Sequence, residues 1–295
     1  MKKCEYCGRE YPDDVSRCAI DNELLPGGND LVSSGGAAIA ILASPVPNGL
    51  VESIDLPSHR RPWTDRQLHI IEVLLVCLIA FGGSMLTSGY HFWFGYGAPS
   101  SGNSDSETFK WVYNALRQAS ALALVWYLLL RRGKSFSDLG LVWSWKDAGW
   151  AVLLCFAGTM AYRLAYDAMY FTGLTSTSLR MSGEHVGSIL FGGGVFFATI
   201  LFQFLNPFFE ELIVRAYVMT EVKFLTNSLP LAIIISTVLQ TSYHFYQGAP
   251  AALALGATFL IFSLYYAKTN RITPVVLAHL YTDVNSTLWY MHRHG

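Results

Sequence analysis

The chain has 295 residues, a formal net charge of -1, 52% hydrophobic residues and only 14% charged ones. A soluble domain carries about 25% charged residues, so this composition and a mean hydropathy of +0.34 describe a surface that water does not cover. The balance excludes a disordered chain, a coiled coil and a nucleic-acid binder built on excess charge. It points to a polytopic membrane protein with a small appendage.

Residues 1–25 read Cys4-x2-Cys7-Gly8, a polar turn at Tyr11-Pro12-Asp13-Asp14, then Cys18-x2-Asp21. Two thiolates two residues apart form a knuckle that grips zinc, and a second knuckle would complete a tetrahedron. Cys4, Cys7, Cys18 and Asp21 are therefore a candidate structural zinc set, with a carboxylate in the fourth place. The stretch resembles the zinc-ribbon tags at the N-termini of many prokaryotic proteins. A vestigial ribbon or a plain pair of inert thiols stands as the alternative. Cys77 and Cys155 lie singly in apolar runs and read as small hydrophobes. Met1-Lys2-Lys3 leads into a polar stretch rather than an apolar one, so the N-terminus is expected to stay cytoplasmic. Residues 26–67 are a flexible linker, punctuated by Gly27-Gly28, Gly35-Gly36, Pro45, Pro47, Pro57 and Pro62.

From residue 68 to the end the pattern is that of an all-α transmembrane bundle. Apolar stretches recur near 68–88, 111–130, 149–171, 189–220, 230–247, 251–267 and 273–291. Most have the ~20 residues needed to span ~30 Å of hydrocarbon, which predicts about seven spans. The fifth and sixth are short and joined by Gly248-Ala249-Pro250 as a tight helical hairpin. With a cytoplasmic N-terminus, the inner flanks hold Arg60, Arg61, Arg66, Arg131, Arg132, Lys134, Lys146, Lys223, Lys268 and Arg271. The outer flanks hold only Lys110, Arg180 and Arg293. That bias fits the positive-inside rule, and Trp143, Trp145 and Trp150 sit where an interfacial anchor belongs.

Ionisable side chains at bilayer depth carry the functional information, each costing ~2.5–3.5 kcal/mol on insertion scales. The fourth stretch contains Asn206-Pro207-Phe208-Phe209-Glu210-Glu211-Leu212-Ile213-Val214-Arg215. Glu211 and Arg215 are four apart and can pair on one helix face, while Glu210 is turned ~100° away. Pro207 either starts a new helix or kinks the span. The fifth stretch ends Gln240-Thr241-Ser242-Tyr243-His244, and the seventh carries His279-Leu280-Tyr281-Thr282-Asp283, with His279 and Asp283 again four apart. A lone membrane histidine usually serves one interhelical hydrogen bond. Two histidines, an aspartate and Glu-Glu-x3-Arg on three stretches point instead to one shared polar site.

In that order on late helices, Glu210-Glu211-x3-Arg215, His244 and His279-x3-Asp283 resemble the CPBP family of CAAX prenyl endopeptidases and bacteriocin-processing or immunity (Abi) proteins. Arg131-Arg132-Gly133-Lys134 followed by Asp138-Leu139-Gly140-Leu141 is similar to that family's inter-helix loop. The resemblance spans roughly 68–291, its specific part 206–283. Gln240 stands where the family usually has phenylalanine, and Asp283 where prenyl endopeptidases often have asparagine. The resemblance implies intramembrane hydrolysis of a peptide bond in a membrane-associated, CAAX-type or other, protein or peptide. Glu210 would be the general base, with His244 holding the attacking water. His279 and Asp283 would stand at the developing oxyanion, and Glu211 with Arg215 would support them.

No serine or cysteine has a convincing base partner, so water attack is expected, with no cofactor required. Glu, His and His are also acceptable zinc ligands, but the His-Glu-x2-His helix is missing, and the metal-free reading is preferred. Two other functions use the same residues: a non-catalytic bacteriocin-immunity or membrane scaffold protein, and a transporter or proton relay. The halves show no inverted repeat of the kind transport favours. The expected place is a prokaryotic cell membrane, with the lipid bilayer as a partner and no nucleic acid. Straight, uniform helices would leave His244 and His279 about 15 Å apart at 1.5 Å per residue. Kinks at Pro207, Pro250 and Pro274 are what could bring them together.

Overall fold

The computed structural model describes residues 2–3, 10–16, 25–27, 64–94, 104–173 and 197–294. The chain divides into two units, Met1–Thr64 and Asp65–Gly295. In the first, β1 (Lys2–Lys3) pairs antiparallel with β2 (Glu10–Tyr11), Lys2 opposite Tyr11 and Lys3 opposite Glu10. The carbonyl of Pro12 accepts the Val15 N–H at 3.1 Å and closes a turn. The zinc candidates Cys4, Cys7, Cys18 and Asp21 lie outside the described residues, as does most of the linker expected over 26–67.

The second unit is the all-α bundle expected from the sequence. Its helices are α1 (Asp65–Phe94), α2 (Ser104–Arg131), α3 (Trp145–Phe171), α4 (Phe197–Glu210), α5 (Thr220–Thr226), α6 (Leu229–Ser242), α7 (Ala249–Thr269) and α8 (Thr273–His294). A π-helical segment, Glu211–Met219, joins α4 to α5 without a break, and a 3-10 turn, Phe245–Gln247, precedes α7. The chain punctuates these elements as its residue types require. Asn227 and Asn270 take the left-handed conformation (φ 52° and 51°) that ends α5 and α7. Ser228 caps α6 by accepting the Leu231 N–H at 3.3 Å. Pro250 falls in the first turn of α7, where a missing N–H costs nothing.

Among the described residues, three helices are long and apolar enough to cross a membrane: Arg66–Phe94, Trp145–Phe171 and Ala249–Thr269. Two of the other stretches, α2 and α8, fall short of that because they carry the polar interior. Helix α2 has 28 residues but interrupts its apolar run with Asn114, Arg117 and Gln118. Helix α8 does the same with His279, Asp283 and Asn285. The apolar helix α6 has only 14 residues, or about 21 Å at 1.5 Å per residue. The bundle is apolar outside as well as inside: Leu86 on α1 is 78% exposed and Leu164 on α3 is 70% exposed. Surfaces of that kind belong against lipid.

The π segment is the centre of the bundle, with all nine of its residues buried. Ile213, Val214 and Ala216 pack there with Val76 and Ala80 of α1, Val125 of α2, Ala232 of α6 and Val276 of α8. Helix α3 approaches α7 closely at Gly158, whose carbonyl accepts the Thr258 hydroxyl at 2.8 Å. A Cβ at Gly158 would stand 2.8 Å from the Thr258 methyl, so the small residue sets the helix spacing.

One end of the bundle is tied by polar links. His69 (α1) contacts Glu221 (α5) at 2.5 Å, and Arg132, just past α2, reaches Glu221 at 2.8 Å and also pairs with Glu72 (α1). At the same end Arg271 pairs with Asp147 of α3 at 2.9 Å. Asp147 also accepts the Ser144 N–H at 2.7 Å and so holds the start of α3. The loop between α2 and α3 is pressed onto the α7–α8 turn: the Gly140 carbonyl accepts the Ile272 N–H at 3.1 Å and Tyr266 donates to the Leu139 carbonyl at 3.1 Å. Gly140 sits at φ +87°, and a Cβ there would fall 1.9 Å from the Asn270 carbonyl oxygen. Backbone meets backbone at this point, which is why the Asp138-Leu139-Gly140-Leu141 run needs its glycine.

Candidate active site

Glu210 and Glu211 are adjacent in sequence and opposite in circumstance. The chain passes Pro207 as α-helix, so this proline does not start a helix, and the π register begins at Glu211. Segments of π-helix inside α-helices are rare and are frequently found at functional sites. Glu211 and Arg215 are both fully buried and pair with each other across four residues. Arg215 also donates to the Phe259 carbonyl at 3.2 Å and lies over the rings of Phe259 and Phe262, 5.6 and 5.4 Å from their centroids. Its charge is thereby met by one carboxylate, one carbonyl and two aromatic faces, the provision a buried guanidinium requires.

Glu210 turns the other way. It lines a cavity of about 670 Å³ together with Tyr243, His244, His279 and Asp283. Its Oε2 accepts the Gln240 amide at 2.9 Å and the Tyr243 hydroxyl at 2.9 Å. Among the described residues Oε1 has no protein donor. Tyr243 is fixed in turn by Phe81, whose ring stacks on it at 4.7 Å with planes parallel within 1°.

Gln240 is the hub. Its amide also reaches Glu211 at 3.4 Å, and its backbone carbonyl accepts from His244 Nδ1 at 2.8 Å. A carbonyl can only accept, so Nδ1 of His244 carries the proton and Nε2 is left as an acceptor. Where a phenylalanine would only pack, this side chain links both glutamates.

His279 Nδ1 contacts Glu211 at 2.8 Å, and its Nε2 stands 3.6 Å from Asp283 Oδ1. The first is a charge-assisted hydrogen bond; the second is ion-pair distance, too long for a hydrogen bond. The imidazole is thus gripped through Nδ1 while Nε2 remains available at the cavity wall. Behind Glu210, Gln118 of α2 donates to Asn206 at 2.6 Å and secures the turn of α4 that precedes the glutamate.

All six site residues named from the sequence are therefore gathered by α4, the π segment, the α6–α7 turn and α8. Glu210, His244, His279 and Asp283 face the cavity; Glu211 and Arg215 stand behind it. His244 and His279, which straight helices would set at different depths, line the same cavity. Helix α6 stops at Ser242, so His244 lies in the turn rather than on the helix, and packs against Phe259 of α7 at 5.0 Å. Two residues were not singled out from the sequence: Tyr243, and Arg117 of α2, which also lines the cavity. For Tyr243 a signal existed, since Ser236, Gln240 and Tyr243 follow at spacings of four and three, a polar face on an apolar helix. Among the described residues, no group of three His, Cys, Asp or Glu side chains is placed to hold a metal ion.

Residues 192–285 match the family model described as type II CAAX prenyl endopeptidase, Rce1-like. Over these residues the chain is similar to the Rce1-like family. The match runs from before α4 into α8 and contains all six of the residues above, whereas the N-terminal unit lies outside it. No curated protein and no solved structure matches the chain. The Rce1-like match agrees with the apolar helices in placing the bundle in a membrane, and the family it matches is one of endopeptidases.

Proposed function

We propose that the protein is an intramembrane endopeptidase that hydrolyses a CAAX-type peptide bond by water attack. The observation that carries this reading is the divergence of two neighbouring glutamates: one neutralised by a buried arginine, the other facing a cavity shared with two histidines. A water between Glu210 Oε1 and His244 Nε2 would give its proton to the carboxylate as its oxygen attacks the scissile carbonyl. His279, held through Nδ1 by Glu211, would place Nε2–H against the developing oxyanion. Asp283, beside Nε2, would favour the charged imidazolium. Collapse of the tetrahedral intermediate breaks the C–N bond, and Glu210 returns the proton to the leaving amine.

The substrate is a membrane-associated protein whose anchored segment reaches the cavity from the lipid-facing side. The tied end of the bundle, with Arg66, Arg132, Lys134, Lys223 and Arg271, is assigned to the cytoplasmic face by the positive-inside rule.

The test is cleavage of a peptide carrying a prenylated cysteine and three further residues by the full-length protein in lipid nanodiscs, read by mass spectrometry. Glu210→Gln should lower kcat by about 10²–10⁴, the contribution of a positioned general base. Undiminished cleavage by that variant would falsify the mechanism. A wild-type protein that binds the peptide without cutting it would favour the scaffold reading.

A further inference from the structure

The catalytic wall of the cavity is acidic, and the opposite wall is not. Lys110, Asn114, Arg117 and Gln118 of α2 all line the cavity, at spacings of four, seven and eight that put them on one helix face. Arg117 is the unusual member. It sits in the apolar body of α2, where an arginine is costly and is kept for a function. Among the described residues the buried arginines are matched by carboxylates: Arg132 by Glu72 and Glu221, and Arg215 by Glu211. Arg117 is not. Among the described residues it donates to the Ala80 carbonyl at 2.6 Å and lies over the Phe209 ring at 5.7 Å, with no carboxylate at ion-pair distance. These two contacts hold the guanidinium beside the residue that precedes Glu210; the Glu210 charge acts on it, but among the described residues no carboxylate is hydrogen-bonded to it.

We propose that Arg117 binds the C-terminal carboxylate of the substrate, so that the cavity accepts only the free end of a chain and releases a short peptide from it. The assignment rests on the endopeptidase reading and deepens it. A guanidinium offers a carboxylate two parallel N–H donors. Glu210 and Asp283 line the same cavity without making that contact, so it is left to an anion that arrives with the substrate. The residue would thereby convert an enzyme able to attack any reachable peptide bond into one that measures from the terminus. Lys110, about 10 Å further along α2 at 1.5 Å per residue, extends the same electropositive wall towards the α2 N-terminus.

The experiment compares two peptides identical but for the terminus: a prenylated-cysteine peptide ending in a free carboxylate and the same peptide ending in an amide. Binding is measured by fluorescence anisotropy on the full-length Glu210→Gln protein in nanodiscs, and cleavage on the Glu210-containing protein. The acid should bind about tenfold to a hundredfold more tightly than the amide, the range of one charge-assisted hydrogen-bonded contact. Arg117→Gln should erase that preference by weakening the acid alone, and Arg117→Lys should restore part of it. Equal binding of acid and amide would overturn the assignment, as would an Arg117→Gln variant that weakens both alike. If Arg117→Gln does not fold, the wild-type acid-to-amide ratio and its reduction in Arg117→Lys decide the matter. A clear acid preference in binding with no cleavage of either peptide would sink the protease reading and leave the carboxylate site standing.

Discussion

Neutralising each of the two neighbouring glutamates in turn should produce opposite phenotypes. Glu211→Gln removes the charge partner of Arg215, and both side chains are fully buried. Breaking a buried pair by removing one member costs about 3–5 kcal/mol, because the survivor is left as an uncompensated charge. The variant also trades the charge-assisted bond from His279 at 2.8 Å for a neutral one. For a folding unit of this size, about 2–4 °C per kcal/mol converts the loss into a fall of about 6–20 °C in Tm. Glu210→Gln touches two hydrogen bonds, from Gln240 and Tyr243, and opens no buried charge, so about 1–2 kcal/mol and a shift of a few degrees are expected. Its activity, by contrast, should fall by orders of magnitude. The assay pairs tryptophan-fluorescence melting of each variant with peptide cleavage measured well below its Tm. A stable but inactive Glu211→Gln beside an unstable but active Glu210→Gln would refute the division of labour drawn from the geometry.

Two further substitutions probe parts of the same argument. Tyr243→Phe deletes the hydroxyl on Glu210 Oε2 while keeping the stack on Phe81, so kcat should drop about tenfold or more with little change in Tm; an unchanged kcat would remove Tyr243 from the site. Gly140→Ala forces a Cβ into the Asn270 carbonyl at 1.9 Å from a residue at φ +87°, and should cost at least about 1–3 kcal/mol. Melting would show this, and a Tm within a degree of wild type would mean that the loop does not bear on the α7–α8 turn.

What the sequence made legible was chemistry and spacing. Pairing at four residues picked out Glu211 with Arg215 and His279 with Asp283, because those relations are local and survive any packing of the helices. The all-α class followed from apolar runs for the same reason. Depth was not legible. His244 could be placed only by assuming that its apolar run was one helix, and the run ends instead in a turn that brings the imidazole over α7. Nor could the sequence announce that nine residues from Glu211 would adopt π register, since Leu, Ile, Val and Ala at those positions suit an α-helix equally well. Arg117 could not be picked out because one arginine in a helix gives no spacing to read; what makes it conspicuous is that, among the described residues, no carboxylate stands at ion-pair distance from it.

The π segment bears directly on how two adjacent carboxylates are kept in different states. In continuous α-helix each residue's N–H reaches back four residues, whereas from Glu211 the reach is five, and the wider turn is centred on side chains with no exposure to solvent. Such a turn sacrifices backbone hydrogen-bond geometry, and persists where surrounding packing over-determines it. Here that packing comes from α1, α2, α6 and α8, together with Arg215 lying over the rings of Phe259 and Phe262. The ~100° between neighbouring helical residues already points the two carboxylates apart. The π register then sets Glu211 on a wider, wholly buried turn where Arg215 and His279 hold it, while Glu210, the last α-helical residue before that turn, keeps its carboxylate at the cavity.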